Sequence, residues 1–204
     1  LKKNKSYLIT LGSSAEYGLR NFPTKESTSL LPATTYEATK SASSMMVTGY
    51  SRAYDLKAIV VRPYSVYGHH SKNNRIIPYI INCIKNNSKM KIYRGFHDFI
   101  YVYDFNRGIF DLIQNRNEWT KGEIVNLGSG KQYSNFELLK TIQSVFGKTN
   151  GKFELIDKFY KKNESDMWVC DTNFAYKKYG YRTKFNLKKG ELCFNNSHPD
   201  KIRK

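Results

Sequence analysis

The sequence predicts an α/β fold built on a parallel sheet, and three features carry that prediction. Residues 6–11 (S-Y-L-I-T-L) are rich in β-formers and stop at Gly12-Ser13-Ser14, as a buried strand does on entering a loop. A helix is expected over about 36–54, capped by Thr34 or Thr35, with Ala38, Ala42, Ser43 and Ser44 small enough to lie close against a sheet. Ala58-Ile59-Val60-Val61 is a short unbroken apolar run, the pattern of a parallel strand covered on both faces. Strand, crossover helix and strand make a βαβ unit, which sets the sheet parallel.

The remaining elements follow in order. Residues 21–35 hold Pro, Ser and Thr without periodicity and read as a loop. Beyond Pro63 the pattern predicts a helix over 76–84, short strands over 91–93 and 99–102, and a helix capped by Asp104 that runs through Leu112. A strand is expected over 123–127, a turn at Gly128-Ser129-Gly130, and a helix over 134–146. In that helix Phe136, Leu139, Gln143 and Phe146 keep a mostly apolar stripe at spacings of three and four. A last strand over 153–156 and a helix near 172–179 complete the reading, with no internal repeat and no low-complexity linker.

Composition narrows the class. With 40% hydrophobic and 15% aromatic residues in 204, there are apolar side chains enough for a folded core. No stretch reaches the apolar length of a membrane span, and no secretory core is present. The first residue is leucine and strand pattern begins by residue 7, so a fragment or processed product is expected. Cys83, Cys170 and Cys193 are odd in number and wrongly spaced for a disulfide framework or zinc site, which fits a reducing cytoplasm. No metal role is assigned to His69 and His70, because adjacent side chains diverge on either regular backbone.

The net charge of +17 admits three explanations: nucleic-acid binding, attraction of an anionic small substrate, or a lysine-rich solvated surface. The lysines are scattered and cluster only at 2–5, 161–162, 177–178 and 188–189. No basic run alternates with aromatics as a nucleic-acid stacking platform requires, so the solvated surface is the reading adopted.

Tyr36 and Lys40 carry the first chemical signal. Spacing of four on a helix stacks their side chains on one face. A phenol is a poor base at neutral pH, and an ammonium beside it favours the phenolate, which makes Tyr36 a proton acceptor for a sugar hydroxyl. Tyr36 is the only tyrosine in the chain followed four residues later by lysine, and it opens the helix of the βαβ unit. Ser13 and Ser14 stand where the preceding strand ends, the usual place for functional groups in a parallel sheet. A hydroxyl there hydrogen-bonds the reacting oxygen; ordinary turn chemistry is the competing reading of these serines.

A series of motifs extends the signal. G-S-S-A-E-Y-G at 12–18, P-A-T-T-Y-E-A-T-K at 32–40 and V-R-P-Y-S-V-Y-G at 61–68 come first. D-F-I-Y-V-Y-D-F at 98–105, N-L-G-S-G at 126–130, W-V-C-D-T at 168–172 and Y-G-Y-R-T at 179–183 follow. In this order they resemble the extended short-chain dehydrogenase/reductase family of nucleotide-sugar epimerases, dehydratases and reductases, from about Tyr7 to Glu191. The resemblance implies a partial Rossmann-like parallel sheet with a smaller C-terminal α/β substrate-binding domain. Residues 1–75, with 94–130, would form the C-terminal part of the dinucleotide-binding domain; 76–93 and 131–204 would mainly form the substrate domain.

By the same resemblance Ser13, Tyr36 and Lys40 are the catalytic set, and the cofactor is NAD or NADP. Tyr36, Lys40, Pro63, Tyr64 and Val66 would lie at the nicotinamide. Ser14, Ser65, Arg75, Arg94, His97 and Lys162 would face a nucleotide-diphosphate sugar. A homodimer through the helix carrying Tyr36 is implied as well.

The departures from the family pattern are informative. The glycine-rich pyrophosphate turn and the ribose-reading residue that follows it are not in the sequence, so this chain alone is expected to bind NAD(P) weakly. His97 stands where the family has an arginine before the D-F-I-Y-V motif, and Lys162 or Asn163 where a second arginine is usual. Both arginines normally grip the diphosphate, and lysine lacks the bidentate fork. Arg94 is the candidate substitute, and Ser65 replaces a usual asparagine. The 4,6-dehydratases carry Asp-Glu, or at least Glu, directly after the active-site hydroxyl; here Ser14 and Ala15 follow Ser13, which disfavours dehydration. C4 epimerisation through a 4-keto intermediate is the lead expectation and 4-keto-sugar reduction the alternative. A catalytically idle basic domain or nucleic-acid module is the alternative of another class.

Overall fold

A computed structural model describes residues 6–148, 152–160 and 165–196. The expected βαβ unit opens it. Strand β1 (Leu8–Leu11) leads through a 3-10 turn (Ser14–Tyr17) and a long loop into helix α1 (Thr35–Ala53), which returns the chain to β2 (Ala58–Pro63). β2 pairs parallel with β1, Leu8 opposite Ala58, and on its other side with β6 (Glu123–Leu127), Ile59 opposite Glu123. The order β1-β2-β6 makes β2 central, and this explains its unbroken apolar run: Ala58 through Arg62 are all buried. Among the described residues the outer edge of β1 has no strand partner. Beside it lies an apolar hollow of about 710 Å³ lined by Ile9, Leu11, Phe110 and Ile113.

Two smaller sheets stand beyond the first. β3 (Ser65–Tyr67) pairs parallel with β5 (Phe96–Tyr101), which pairs antiparallel with β7 (Gln132–Ser134). β4 (Met90–Arg94) pairs parallel with β8 (Phe153–Phe159), with a register shift at Tyr93/Arg94. Helices α2 (Ile76–Lys85), α3 (Val102–Gln114), α4 (Asn135–Phe146), α5 (Asn173–Tyr179) and α6 (Leu187–Asn196) complete the fold. One core joins the first sheet to α3 and α5 through Ile59, Val125, Leu127, Leu112 and Tyr179. A second joins α2, β4 and α4 through Ile80, Met90, Ile92, Leu138 and Ile142. α5 thus packs with the first sheet, although it follows the second in sequence.

Two expectations are corrected. Asp104 does not cap α3: the helix starts two residues earlier, with Tyr101 at the cap and no side-chain cap bond. The Asp104 carboxylate is buried and accepts instead from the backbone N–H groups of Lys184 (3.0 Å) and Phe185 (2.9 Å) and from Arg107 (2.8 Å). A buried carboxylate needs such partners more than a helix end near water needs a cap. In α4 the buried face is Leu138, Leu139 and Ile142, with Phe136 and Phe146 at its margins. Ser134 caps that helix in a reciprocal box with Glu137, which rotates the two leucines inward.

Helix α6 holds one exception to that pairing rule. Glu191 is fully buried, and among the described residues neither carboxylate oxygen has a hydrogen-bond partner. It faces Tyr67 and Tyr101, and burial pushes its carboxyl up to about 8. The folded protein therefore holds this proton where the unfolded chain releases it. Stability is full below the ordinary carboxylate range and falls as pH rises from there through about 8. Thermal melts between about pH 5 and 9 should show this decline, and Glu191→Gln should make it shallower, leaving the share from Glu26, whose carboxyl burial pushes up to about 7.

Candidate active site

The site forms where β1 and β2 end. Gly12 closes β1 by donating its N–H to Val61 O (2.8 Å). Ser13 then caps the 3-10 turn: its Oγ accepts the Ala15 N–H (3.2 Å) and its own N–H donates to Glu16 Oε1 (2.8 Å). Because the Ser13 oxygen is used as an acceptor, its hydroxyl proton remains available to donate to a reacting oxygen. Tyr17 follows, buried, with its hydroxyl donated to Asn126 Oδ1 (2.7 Å). Burial pushes the Tyr17 phenol up to about 12, against the pull of Arg62, so it is no rival to Tyr36 as a base.

The turn ends at Gly18, with φ of 64° and ψ of −160°, a conformation essentially reserved for glycine. A Cβ there would sit 2.0 Å from Leu31 O. Gly18→Ala should destabilise by roughly 1–3 kcal/mol from backbone strain alone, with the clash added, read as a lowered denaturant midpoint.

Helix α1 begins where its capping box dictates. Thr34 Oγ1 accepts the Glu37 N–H (3.2 Å) while Glu37 Oε2 accepts the N–H groups of Thr34 (3.1 Å) and Ala33 (2.6 Å). This start places Tyr36 in the first turn, 57% exposed. One turn on, Lys40 Nζ donates to Leu11 O (3.0 Å), and one turn further Ser44 Oγ donates to Glu16 Oε1 (2.9 Å). Tyr36, Lys40 and Ser44 thus form a row at spacings of four, in which Lys40 grips the end of β1 and Ser44 grips Glu16 in the turn that follows it. A crossover helix runs against its strands, so Tyr36 stands one turn beyond Lys40, toward the carboxyl ends of the strands.

The other candidate residues divide. β3 pairs Ser65 opposite Phe99, which brings Ser65 Oγ within 3.4 Å of His97 Nδ1. Val66 next to it is exposed, and Pro63 ends β2 partly buried. Tyr64 is buried, with its hydroxyl bonded to Thr24, and shares a narrow crevice with Ser14, Arg20 and Trp168. Its ring points into protein. Arg94 donates to Asp166 Oδ1 from Nε (2.9 Å) and to Asp157 (3.3 Å), so two carboxylates already balance its charge. Arg75 is exposed at the start of α2 without a side-chain cap bond. Lys162, like Asn163, lies outside the described residues.

Sequence reading missed two buried acids that hold the site. Glu16 pairs with Arg62 of β2, Nε to Oε2 at 2.9 Å, with both side chains essentially inaccessible. Asp98 gathers the N–H groups of Ser129 (2.7 Å), Gly130 (2.9 Å) and Cys170 (3.0 Å). Those three donors come from two of the sequence motifs, N-L-G-S-G and W-V-C-D-T, and burial raises the Asp98 carboxyl while the donors lower it. The available signal was an acid inside a motif otherwise made of apolar and small residues.

A parallel sheet in which α1 crosses from β1 to β2, with Ser13 just past the end of β1, has the arrangement of Rossmann-like α/β chains. The chain belongs to the NAD dependent epimerase/dehydratase family, which it matches over residues 1–128. Among its relatives is the human dTDP-D-glucose 4,6-dehydratase, 25% identical over 171 residues, covering 81% of this chain and 48% of that protein. Among solved structures, dTDP-glucose 4,6-dehydratase from Bacillus anthracis in complex with NAD superposes with a TM-score of 0.83 at 21% identity, over 95% of this chain and 62% of that one. UDP-glucuronic acid 4-epimerase from Bacillus cereus, in complex with UDP-glucuronic acid and NAD, gives 0.81 at 19% identity, over 96% and 60%. The chain spans about half the length of the curated relatives it matches.

Proposed function

We propose that this chain supplies the catalytic and sugar-binding part of an NAD(P)-dependent C4 epimerase of nucleotide-diphosphate sugars. The observation that carries the reading is the row Tyr36–Lys40–Ser44, in which Lys40 holds the end of β1 and Ser44 holds Glu16, three residues past Ser13. Tyr36 takes the proton of the sugar hydroxyl, Ser13 donates a hydrogen bond to the same oxygen, and Lys40, one turn on, sets a positive charge on the same helix face. The half-exposed Tyr36 and Lys40, with Pro63 at the end of β2 and exposed Val66 in β3, fit the nicotinamide end of the cofactor. When bound there, the cofactor would supply reversible hydride acceptance. Tyr36 then gives its proton back to the oxygen of the inverted centre.

Dehydration is the less supported reaction on two grounds. Ala15 occupies the second place after Ser13, and Glu16, the nearest acid in sequence, is sealed in its pair with Arg62. A carboxyl with no access to substrate cannot remove water across a sugar bond. The implied homodimer has a surface suited to it, since α1 exposes Met45, Met46 and Tyr50, with Tyr54 exposed at its cap.

The test uses the chain joined to a family nucleotide-binding segment, with UDP-glucose, UDP-glucuronic acid and dTDP-glucose as probes followed by NMR. Epimerisation predicts many sugars inverted per cofactor with no net change in reduced cofactor. Stoichiometric consumption of NAD(P)H would replace this reading with a reductase, and loss of water from the sugar with a dehydratase.

A further inference from the structure

A buried carboxylate is costly unless its lone pairs are matched, and Glu16 has each match in a different element. Oε1 accepts the Ser13 N–H (2.8 Å), from the loop after β1, and the Ser44 hydroxyl (2.9 Å), from α1. Oε2 accepts Nε–H of Arg62 (2.9 Å), from β2. The seat exists only because residue 12 is glycine: a Cβ there would lie 2.4 Å from Glu16 Oε1 and 3.0 Å from Ser44 Oγ. Arg62 is itself braced, its guanidinium 4.7 Å from the Tyr17 ring, whose hydroxyl reaches Asn126 of β6.

Capping alone does not account for this arrangement. A reciprocal cap needs the Ser13 N–H and an acid three residues on, and it works at a solvated surface, as Ser134 and Glu137 show at α4. Glu16 goes further: it is fully buried and it ties the cap to α1 at Ser44, one turn from Lys40 and two from Tyr36. The hydroxyl donor and the phenol sit on separate elements, and a misplacement of about 1 Å between reacting groups costs on the order of 10²-fold in rate.

We propose that Glu16 is a positioning residue that holds Ser13 in register with Tyr36 and Lys40. The inference rests on reading those three as the catalytic set. Its effect is carried through hydrogen bonds and not through contact with substrate.

The test places 3-fluorotyrosine at position 36 and reads its fluorine NMR signal in the chain of 204 residues. Two variants are compared with the parent: Glu16→Gln, which weakens all three ties, and Ser44→Ala, which cuts only the tie to α1. Leu138→Ala, in the second core, controls for simple loss of stability. Both site variants should move or split the signal by more than its linewidth, while Leu138→Ala leaves it in place. Site-variant signals that coincide with the parent's, with only the melting temperature lowered, would overturn the proposal. An active Tyr36→Phe enzyme would sink the epimerase reading and leave the fluorine result standing, so the two failures are distinguishable.

Discussion

Tyr36→Phe is expected to lower turnover by roughly 10²–10⁴-fold, the usual contribution of a positioned acid–base group. The chain would be joined for this purpose to a family nucleotide-binding segment. The phenol is at the surface of α1, 57% exposed, so its loss should cost little stability, and the melting temperature should stay within about a degree of the parent's. That combination, activity lost with stability kept, separates chemistry from packing. Ser13→Ala should lose less, because the oxygen it positions is still held by Tyr36. Steady-state kinetics on a turned-over sugar nucleotide check both; unchanged turnover in Tyr36→Phe would discard the mechanism.

Arg62→Met is expected to be the most destabilising replacement near the site. The methionine fills most of the volume, but it leaves the fully buried Glu16 carboxylate without its cation. Breaking a buried pair by removing one partner costs about 3–5 kcal/mol. In a chain of this size that is a fall of roughly 6–20 °C in melting temperature, at about 2–4 °C per kcal/mol. Adding Glu16→Gln to Arg62→Met removes the orphaned charge, so the double variant should be more stable than Arg62→Met alone. Strict additivity of the two in a double-mutant cycle would mean that the pair is not coupled.

Legibility in the sequence tracked how local the cause of each feature is. α1 was predicted almost to the residue because its start is written in Thr34 and Glu37, three apart, and nothing distant alters it. β2 was legible for another reason: a strand covered on both faces leaves an unbroken apolar run, here Ala58 to Val61. β3 and β7, three residues each, were not, since so short a strand shows no periodicity and forms only because β5 lies between them. α6 was passed over because its opening Lys188 and Lys189 read as a charge cluster, although Asn186 Oδ1 caps it by accepting the Lys189 N–H (2.9 Å). At the site, Tyr36 and Lys40 were visible through their spacing. Glu16 and Arg62, 46 positions apart, carry no pattern that announces a pair.

The unmatched rim of β1 has a practical meaning for anyone handling this polypeptide. Among the described residues its outer edge has no strand partner, though Lys40 holds the Leu11 carbonyl, and it lies next to an oily trough and a Leu11 side chain that is 48% exposed. Such a rim is a template on which another extended segment can zip. Residues 1–204 prepared by themselves should therefore scatter more light as they are concentrated, and a lysine in place of Leu11 should blunt that stickiness without disturbing Lys40's hold on the backbone carbonyl beneath it.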